Sequence, residues 1–255
     1  HELMDLQNKP GKASTGYMTS LPSLKAPFVF SCFNHTIFDM QVLTHELGHA
    51  FAGYMAMRSQ PISDYYSEST DIAEIHSMSM EQFAYPYAEW FFGDQADKFR
   101  FAHLQEALTF VPFGVAVDEF QHICYAHPEL TPKERTYQWH LLEEKYMPWR
   151  KYENDAFMER GGYWYHKLHI YLYPFYYINY TLTTMGAMEF KKKYAEDKAT
   201  AWQNYLKLCK TGGSRSYLET LRYANLSNPF EEGSVERACG YAEKILLEQI
   251  AAQEQ

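Results

Sequence analysis

The sequence predicts a mainly α-helical fold with a minor β element near residues 26–34. Helix-start signals recur along the chain, and the segments that follow them end at proline, glycine or polar turns. Only residues 26–34 combine strand-forming side chains with a proline and an asparagine at their boundaries. With 255 residues, of which 46% are hydrophobic, the chain can bury a full core. We expect one mostly helical domain over residues 1–255.

The composition argues against several classes of partner. The net charge of −9 and the pI near 5.7 disfavour binding to nucleic acid or to an anionic membrane. No apolar run reaches the roughly 18 residues of a membrane-spanning helix, and a signal-peptide pattern is absent. Four scattered cysteines without a Cys-x-x-Cys pair are typical of reduced, buried thiols in a cytoplasmic protein. Because the chain begins at His1 rather than Met, we expect an upstream domain and interpret this chain as the C-terminal part of a longer protein.

The β element follows a predicted loop. Gly, Pro and Ser are frequent over residues 9–25, which favours irregular structure there. The strand at Ala26–Asn34 has two interpretations. It is either a strand of the core or an edge that pairs with an extended peptide by β-addition.

The helices have recognisable starts. Thr36-Ile37-Phe38-Asp39 has the form of a capping box and begins a helix that continues to about Arg58. A second helix begins near Ser69 or Thr70 and runs towards Pro86. Thr131-Pro132-Lys133-Glu134 is a further start, with proline at the first helical position. Other helical segments are predicted at 90–125, 132–146, 196–210, 215–224 and 234–252, and an aromatic segment at 163–188.

The first helix contains the sequence His45-Glu46-Leu47-Gly48-His49. His45 and His49 are four residues apart and project from one face of a helix, a spacing that suits two nitrogen ligands of a tetrahedral zinc ion. Glu46 leans over the same face, where it can accept a proton from a water on the metal. Such a motif also arises by chance in helices whose histidines are merely packed or solvated.

The neighbours of the motif favour a metal site. Two buried histidines and a glutamate without a partner would be costly, and a bound metal removes that cost. Gly48 is a poor residue for a helix interior and indicates the close approach of another element. The apolar residues that imply burial of most of the helix circumference are Phe38, Val42, Leu43, Leu47, Ala50, Phe51 and Ala52.

The third protein ligand of a catalytic zinc is left open by the residues alone. Glu74 lies in the middle of the second helix, after a loop long enough for an antiparallel return. Asp71 and Glu81 share roughly one face with Glu74, so either could instead orient a histidine N–H. Glu68 and His76 also compete, although packing is the expected role of His76.

Together these residues resemble oligoendopeptidase F, the bacterial branch of the thimet oligopeptidase family of zinc peptidases. The resemblance rests on His45–His49 followed by Glu74, and it extends to Gly16–Pro22, Ala26–Asn34 and His169–Tyr180. It covers most of the chain. It implies a neurolysin/thimet-like helical zinc-peptidase catalytic domain, one Zn²⁺ per chain, and Glu74 as the third ligand.

The aromatic segment supplies further candidates. Tyr173, Tyr177 and Tyr180 are spaced i, i+4 and i+7, so on a helix they would share one face, as an aromatic stripe of the core also would. In the resembled peptidases, phenols and an imidazole from this segment hydrogen-bond the substrate carbonyl. The resemblance therefore implies catalytic roles for Tyr177 and Tyr180, with Tyr180 stabilising the oxyanion. Tyr173 is a further candidate. His169 matches the imidazole of the thimet branch only with a shift of one residue.

The resemblance implies a zinc metalloendopeptidase that hydrolyses short oligopeptides, with Glu46 as the general base. In the matching stretches before the motif, Tyr17, Phe30 and Ser31 are assigned to substrate binding. The peptide would lie in a deep helical cleft whose other wall is the upstream domain. Two alternatives are a metallocarboxypeptidase on the same scaffold and a non-catalytic zinc- or peptide-binding module.

Overall fold

A computed structural model describes residues 2–13 and 15–253, and these confirm a mainly helical fold with a small β element. The strands are β1 (Met4–Asp5), β2 (Tyr17–Leu21) and β3 (Ala26–Phe30). The helices are α1 (Ile37–Ser59), α2 (Thr70–Phe83), α3 (Glu89–Phe92), α4 (Ala96–Ala126), α5 (Pro132–Tyr146), α6 (Ala156–Glu159), α7 (Leu168–Leu172), α8 (Ile178–Glu196), α9 (Lys198–Thr211), α10 (Tyr217–Tyr223) and α11 (Ser234–Gln253). Among the described residues, no helix has the length and apolar character that a membrane crossing requires.

The backbone groups into two compact units. The first contains the residues up to Gln105 together with those from Thr183 onward, and the second runs from Glu106 to Leu182. In the first unit, a core of fully buried side chains includes Ile75, Phe190, Tyr205 and Leu208. Phe113, Phe120, Trp139, Trp164 and Tyr177 belong to the core of the second unit. The single domain expected over residues 1–255 stays a prediction.

The β element is a three-stranded sheet in the order β1-β3-β2. β3 pairs in parallel with β1 and antiparallel with β2, where Tyr17 lies opposite Phe30. The alternative that residues 26–34 form a free edge is therefore wrong, because β3 is paired on both sides. The loop predicted over 9–25 is wrong at 17–21, which form β2. Met18 and Ser20 face Gly53 of α1, whereas Tyr17 and Thr19 are exposed.

The helix starts differ in how they are capped. α1 begins at Ile37 without the predicted capping box. Its Asp39 carboxylate accepts hydrogen bonds from the backbone N–H groups of Asn34 (3.0 Å) and His35 (2.6 Å), not from that of Thr36. The tight turn of His35, with a φ of 64°, carries the chain from β3 into α1. At α5 the predicted helix start is confirmed, and it takes the form of a capping box in which the Thr131 hydroxyl and the Glu134 carboxylate bond each other's backbone N–H.

Two further predictions from the sequence need correction. The helix predicted over 90–125 is interrupted after α3, because Gly93 adopts a φ of 53° and α4 begins only at Ala96. All four cysteines are free, but the predicted burial holds for two of them only. Cys209 and Cys239 are buried, whereas Cys32 and Cys124 are half-buried.

α1 and α2 cross closely at Gly48. A Cβ at this position would lie 2.6 Å from the Cα of Ser77 and 2.8 Å from the carbonyl oxygen of His76. The close approach expected from this glycine is confirmed. The crossing brings the turn of α2 that carries Glu74 against the turn of α1 that carries the two histidines.

We expect Gly48→Ala to destabilise the protein by about 1–3 kcal/mol, because its methyl group would meet backbone atoms that cannot move without separating the helices. Urea unfolding of the metal-free protein measures this. Gly240→Ala on α11 is the matched control, since no atom lies within 4 Å of the added Cβ and alanine should stabilise that helix by about 0.5–1 kcal/mol. A Gly48→Ala protein as stable as Gly240→Ala would contradict the close crossing.

Lys191 on α8 is a half-buried lysine in the first unit. Its ammonium lies 3.5 Å from the centroid of the Tyr85 ring. Burial, helped by the positive charge of Arg100, lowers the pKa of Lys191 to about 7. The unfolded chain has the ordinary lysine pKa of 10.5, so between the two values the unfolded state binds a proton that the folded state does not. Stability therefore rises with pH across this window.

Lys191→Met should remove this contribution, which is at most about 1.4 kcal/mol per pH unit. The free energy of unfolding in urea, measured at several pH values between neutrality and the unfolded lysine pKa, gives the slope for each protein. Lys98→Met, at an exposed position of α4, controls for the loss of one positive charge and should keep the wild-type slope. Equal slopes for wild type and Lys191→Met would contradict the assignment.

Candidate metal centre

α1 and α2 bring together three side chains that could hold a metal ion: His45, His49 and Glu74. One ligand atom from each lies within 4.8 Å of the others. Glu74 Oε2 is 3.1 Å from His45 Nε2 and 3.5 Å from His49 Nε2. The edge of a tetrahedron around zinc is about 3.3 Å for bonds of roughly 2.0–2.1 Å, so these separations fit ligands of one ion. Two imidazoles and a carboxylate are also the donors typical of a catalytic zinc site with an open position.

The histidines and carboxylates of this cluster shift each other's pKa values. Burial would raise the pKa of Glu74, but hydrogen bonds to His45 and His49 outweigh it and hold the pKa well below its usual range. Burial would lower the pKa of His45, but the carboxylates of Glu74 and Glu81 outweigh it and raise that pKa to about 10. In the metal-free protein, His45 therefore holds a positive charge where a divalent cation would otherwise balance the carboxylates.

Glu46 lies beside the cluster, and one of its carboxylate oxygens accepts no hydrogen bond from the described residues. The side chain is 6% exposed, and its Oε2 has no hydrogen-bond partner among the described residues. Burial raises its pKa, against the opposing charges of the two histidines. The backbone N–H of Met18 bonds this carboxylate. A Cβ at Gly16 would lie 2.6 Å from Val42 Cγ1 and 3.3 Å from Glu46 Oε1, so glycine lets the residue before β2 approach α1 closely.

The carboxylate of Glu81 contacts His45, a candidate metal ligand, at the ring nitrogen that does not face Glu74. Its Oε1 lies 2.6 Å from His45 Nδ1, and its Oε2 lies 2.6 Å from His103 Nε2. Asp71, the other acid considered for this contact, accepts a hydrogen bond from the Ser69 hydroxyl at the start of α2. Glu81 thus holds the His45 ring with Nε2 directed towards Glu74. His103 was missed in the sequence because it belongs to no motif and lies on a separate helix, α4.

Glu68 and His76, the other two candidates for the third ligand, contact each other. His76 is fully buried, and its Nδ1 lies 2.8 Å from Glu68 Oε1. Neither side chain belongs to the cluster, and the buried His76 ring packs edge-on against Tyr205. The prediction that α1 is buried around most of its circumference is wrong at two positions, since Phe38 is 59% and Leu47 is 39% exposed. α1 packs on the core with its smaller residues instead, and it leaves these two side chains on the outside.

The residues assigned to substrate binding lie where β2 begins and β3 ends. Tyr17 is exposed, and its ring stacks on that of Phe30 with 4.8 Å between centroids. Phe30 is half-buried under the ammonium of Lys12. Ser31 is buried, and its carbonyl oxygen accepts a hydrogen bond from Lys12 Nζ at 2.7 Å. Tyr17 is therefore the most accessible of the three side chains.

The candidate tyrosines belong to the second unit and do not share a helix. α7 ends at Leu172 and α8 begins at Ile178, so Tyr173 and Tyr177 lie in the connection and only Tyr180 is helical. Pro174 cannot continue the helix, and Phe175 turns the chain with a φ of 60°. The prediction of one helical face is wrong for this reason.

The same tyrosines nevertheless gather around His169. Burial and the charge of Lys167 lower the pKa of His169, which favours the neutral form of its ring. Tyr177 is 5% exposed in the core, and its hydroxyl accepts a hydrogen bond from Lys167 Nζ at 3.2 Å. Lys167 and Tyr176 were not singled out in the sequence. The rings whose centroids lie 5.1–6.2 Å from that of His169 are Tyr173, Tyr176, Tyr177 and Tyr180.

Similarity to known proteins extends over nearly the whole chain. The pattern that defines peptidase family M3 matches residues 1–240. The chain is 27% identical over 223 residues to the oligoendopeptidase F homolog of Borreliella burgdorferi, which covers 86% of this chain and 37% of that protein.

Solved structures agree with this match. One that is named for oligoendopeptidase F has a TM-score of 0.87 at 50% identity and covers 96% of this chain and 43% of that one. PZ peptidase A, solved with an inhibitor, has a TM-score of 0.87 at 48% identity and covers 97% of this chain and 44% of that one. The chain thus spans about two fifths of the length of these relatives. Sequence pattern, fold and identity converge on one conclusion: this chain belongs to peptidase family M3.

Proposed function

We propose that the chain is the catalytic part of a zinc-dependent endopeptidase that hydrolyses peptide bonds in short oligopeptides. The observation that carries the proposal is the cluster of His45, His49 and Glu74 beside a buried Glu46 with an unpartnered oxygen. Membership of family M3 supports peptide hydrolysis, and the donor set favours zinc. When bound, zinc would polarise the scissile carbonyl and lower the pKa of a water molecule.

Glu46 would act as the general base. Its unpartnered Oε2 would accept the proton of the attacking water and then deliver it to the nitrogen of the leaving amine. Because burial raises the pKa of this carboxyl, it is a stronger base than an exposed glutamate. The N–H of Met18 bonds the carboxylate and would restrict its rotation during the transfer.

An extended peptide would add to the edge of β2. β2 is an outer strand of the sheet, and its first residues lie beside the Glu46 carboxylate. Unpaired backbone groups of an edge strand bind extended peptides through main-chain hydrogen bonds, which do not depend on peptide sequence. The exposed ring of Tyr17 would contact a substrate side chain. Phe30 would support Tyr17 by stacking on its ring. Ser31 would fix the end of β3 beside them, since its backbone N–H bonds Asp5 and its carbonyl oxygen bonds Lys12.

The tyrosines and the histidine that the resemblance implies would supply hydrogen-bond donors for the oxyanion. Tyr180 is the proposed main donor, with Tyr177, Tyr173 and His169 as further candidates. The Tyr177 hydroxyl accepts a hydrogen bond from Lys167 Nζ, so its own proton is not used in that contact. One such donor typically contributes a factor of about 10²–10³ in rate. The upstream domain and the cytoplasmic location that the sequence predicts belong to the same proposal.

Product analysis tests this function. The zinc-loaded protein is incubated with a short oligopeptide whose two termini are blocked, and the products are identified by mass spectrometry. We expect internal fragments, no cleavage after chelation, and recovery on adding zinc. Release of single residues, and only from a peptide with a free C-terminus, would favour the metallocarboxypeptidase alternative. Zinc binding without cleavage of either peptide would favour a binding module and contradict the proposal.

A further inference from the structure

We propose that His103 and Tyr85 are positioning residues of the metal centre, which act through Glu81 on the ligand His45. The inference rests on the proposed function only for the identity of the metal. Neither residue belongs to the metal-binding motif or touches the three candidate ligands. Their contribution would be to the affinity for zinc, through the orientation of the His45 imidazole.

The proposal stands on an unbroken series of three hydrogen bonds. His45 Nδ1 lies 2.6 Å from Glu81 Oε1, and Glu81 Oε2 lies 2.6 Å from His103 Nε2. His103 Nδ1 lies 2.7 Å from the hydroxyl oxygen of Tyr85. These contacts join α1, α2, α4 and the turn that follows α2. Both oxygens of Glu81 are therefore occupied by imidazoles, and its carboxylate plane is fixed.

The series is closed to solvent. Glu81, His103 and Tyr85 are 8%, 7% and 8% exposed, so water is poorly placed to replace a missing partner. The ring of Phe99 stacks on His103, with 5.4 Å between centroids and 10° between planes, and holds the imidazole in its orientation. Removal of a partner from a buried carboxylate oxygen leaves that oxygen unsatisfied, which is more costly than the bond was favourable. The carboxylate would then turn away from His45.

Each proton in the series has one position. A metal at His45 Nε2 requires the ring proton on Nδ1, which then donates to Glu81 Oε1. Glu81 Oε2 accepts, so His103 must donate from Nε2 and carry a lone pair on Nδ1. The Tyr85 hydroxyl donates to that lone pair. Burial, with the charge of Glu81, raises the pKa of Tyr85 and keeps its proton in place. Tyr85 thereby selects the tautomer of His103 that can support Glu81.

The test compares the zinc dissociation constants of purified variants by competition with a chelator. His103→Leu removes the donor and should weaken zinc binding by about 10- to 100-fold. His103→Gln places an amide N–H near the position of Nε2 and should stay within about 3-fold of wild type. Tyr85→Phe keeps the ring but loses the hydroxyl that selects the tautomer, so it should weaken binding by less than His103→Leu does.

Tyr217→Phe is the matched control for Tyr85→Phe. Its hydroxyl is buried, has no hydrogen-bond partner among the described residues, and lies outside the series, so its loss should leave zinc affinity unchanged. Thermal melting of each metal-free variant confirms that it is folded. Zinc affinity of His103→Leu equal to wild type, or of His103→Gln as weak as His103→Leu, would overturn the inference. A wild-type protein that binds no zinc would instead refute the proposed metal itself.

Discussion

Replacement of Glu46 by glutamine should lower kcat for peptide cleavage by about 10²–10⁴-fold while zinc stays bound. Glutamine has the shape of glutamate and can still accept the Met18 hydrogen bond, but its amide cannot take a proton from water. Glu46 is not among the three side chains of the candidate metal cluster, so its loss should leave the cluster intact. Cleavage of a fluorogenic oligopeptide and metal content by mass spectrometry measure the two quantities on the same sample.

Two comparisons make this result specific. Glu232→Gln, at an exposed position, removes one carboxylate elsewhere and should retain full activity. Because Glu46 Oε2 is buried without a partner, Glu46→Gln should melt no lower than wild type, which separates lost chemistry from lost structure. Full cleavage by zinc-loaded Glu46→Gln would contradict its role as the base.

Zinc at 1,000 times its dissociation constant should stabilise the wild-type protein by about 4 kcal/mol, since the ion binds the folded state alone. For a protein of this size, that corresponds to a rise of roughly 8–16 °C in melting temperature. Glu74→Ala should abolish the rise, because it removes the carboxylate that contacts both His45 and His49. Thermal unfolding with and without zinc measures the shift.

Asp71→Ala is the matched control on the same helix. Asp71 was a rival for the third ligand in the sequence, yet its carboxylate bonds Ser69. Its loss should therefore leave the full zinc-induced shift. A shift that persists in Glu74→Ala, or one that is lost in Asp71→Ala, would contradict the ligand set.

The part of the site that follows from local geometry could be predicted from the sequence. The spacing of His45 and His49 is a property of one helix, and their shared face is confirmed by the contacts of both with Glu74. The assignment of Glu81 as a possible support for a histidine came from its place on the same face of α2 as Glu74, and the structure shows the contact with His45. Gly48 signalled the helix crossing because glycine is otherwise unfavourable inside a helix.

The rest depends on contacts between residues distant in the chain. β2 was missed because its residues favour a strand only when β3 lies alongside them. The spacing of Tyr173 and Tyr177 would put them on one face if they were helical, but Pro174 between them prevents a continuous helix. His103 carried no signal at all, since its partner Glu81 is on another helix and no local pattern joins the two.

The most direct test is anomalous X-ray scattering at the zinc absorption edge from crystals of the zinc-loaded protein. The proposed centre predicts one peak at about 2.0–2.2 Å from His45 Nε2, His49 Nε2 and a Glu74 carboxylate oxygen, with one coordination position open to solvent. A peak elsewhere in the chain, or a fourth protein ligand that closes the coordination sphere, would contradict a catalytic zinc site.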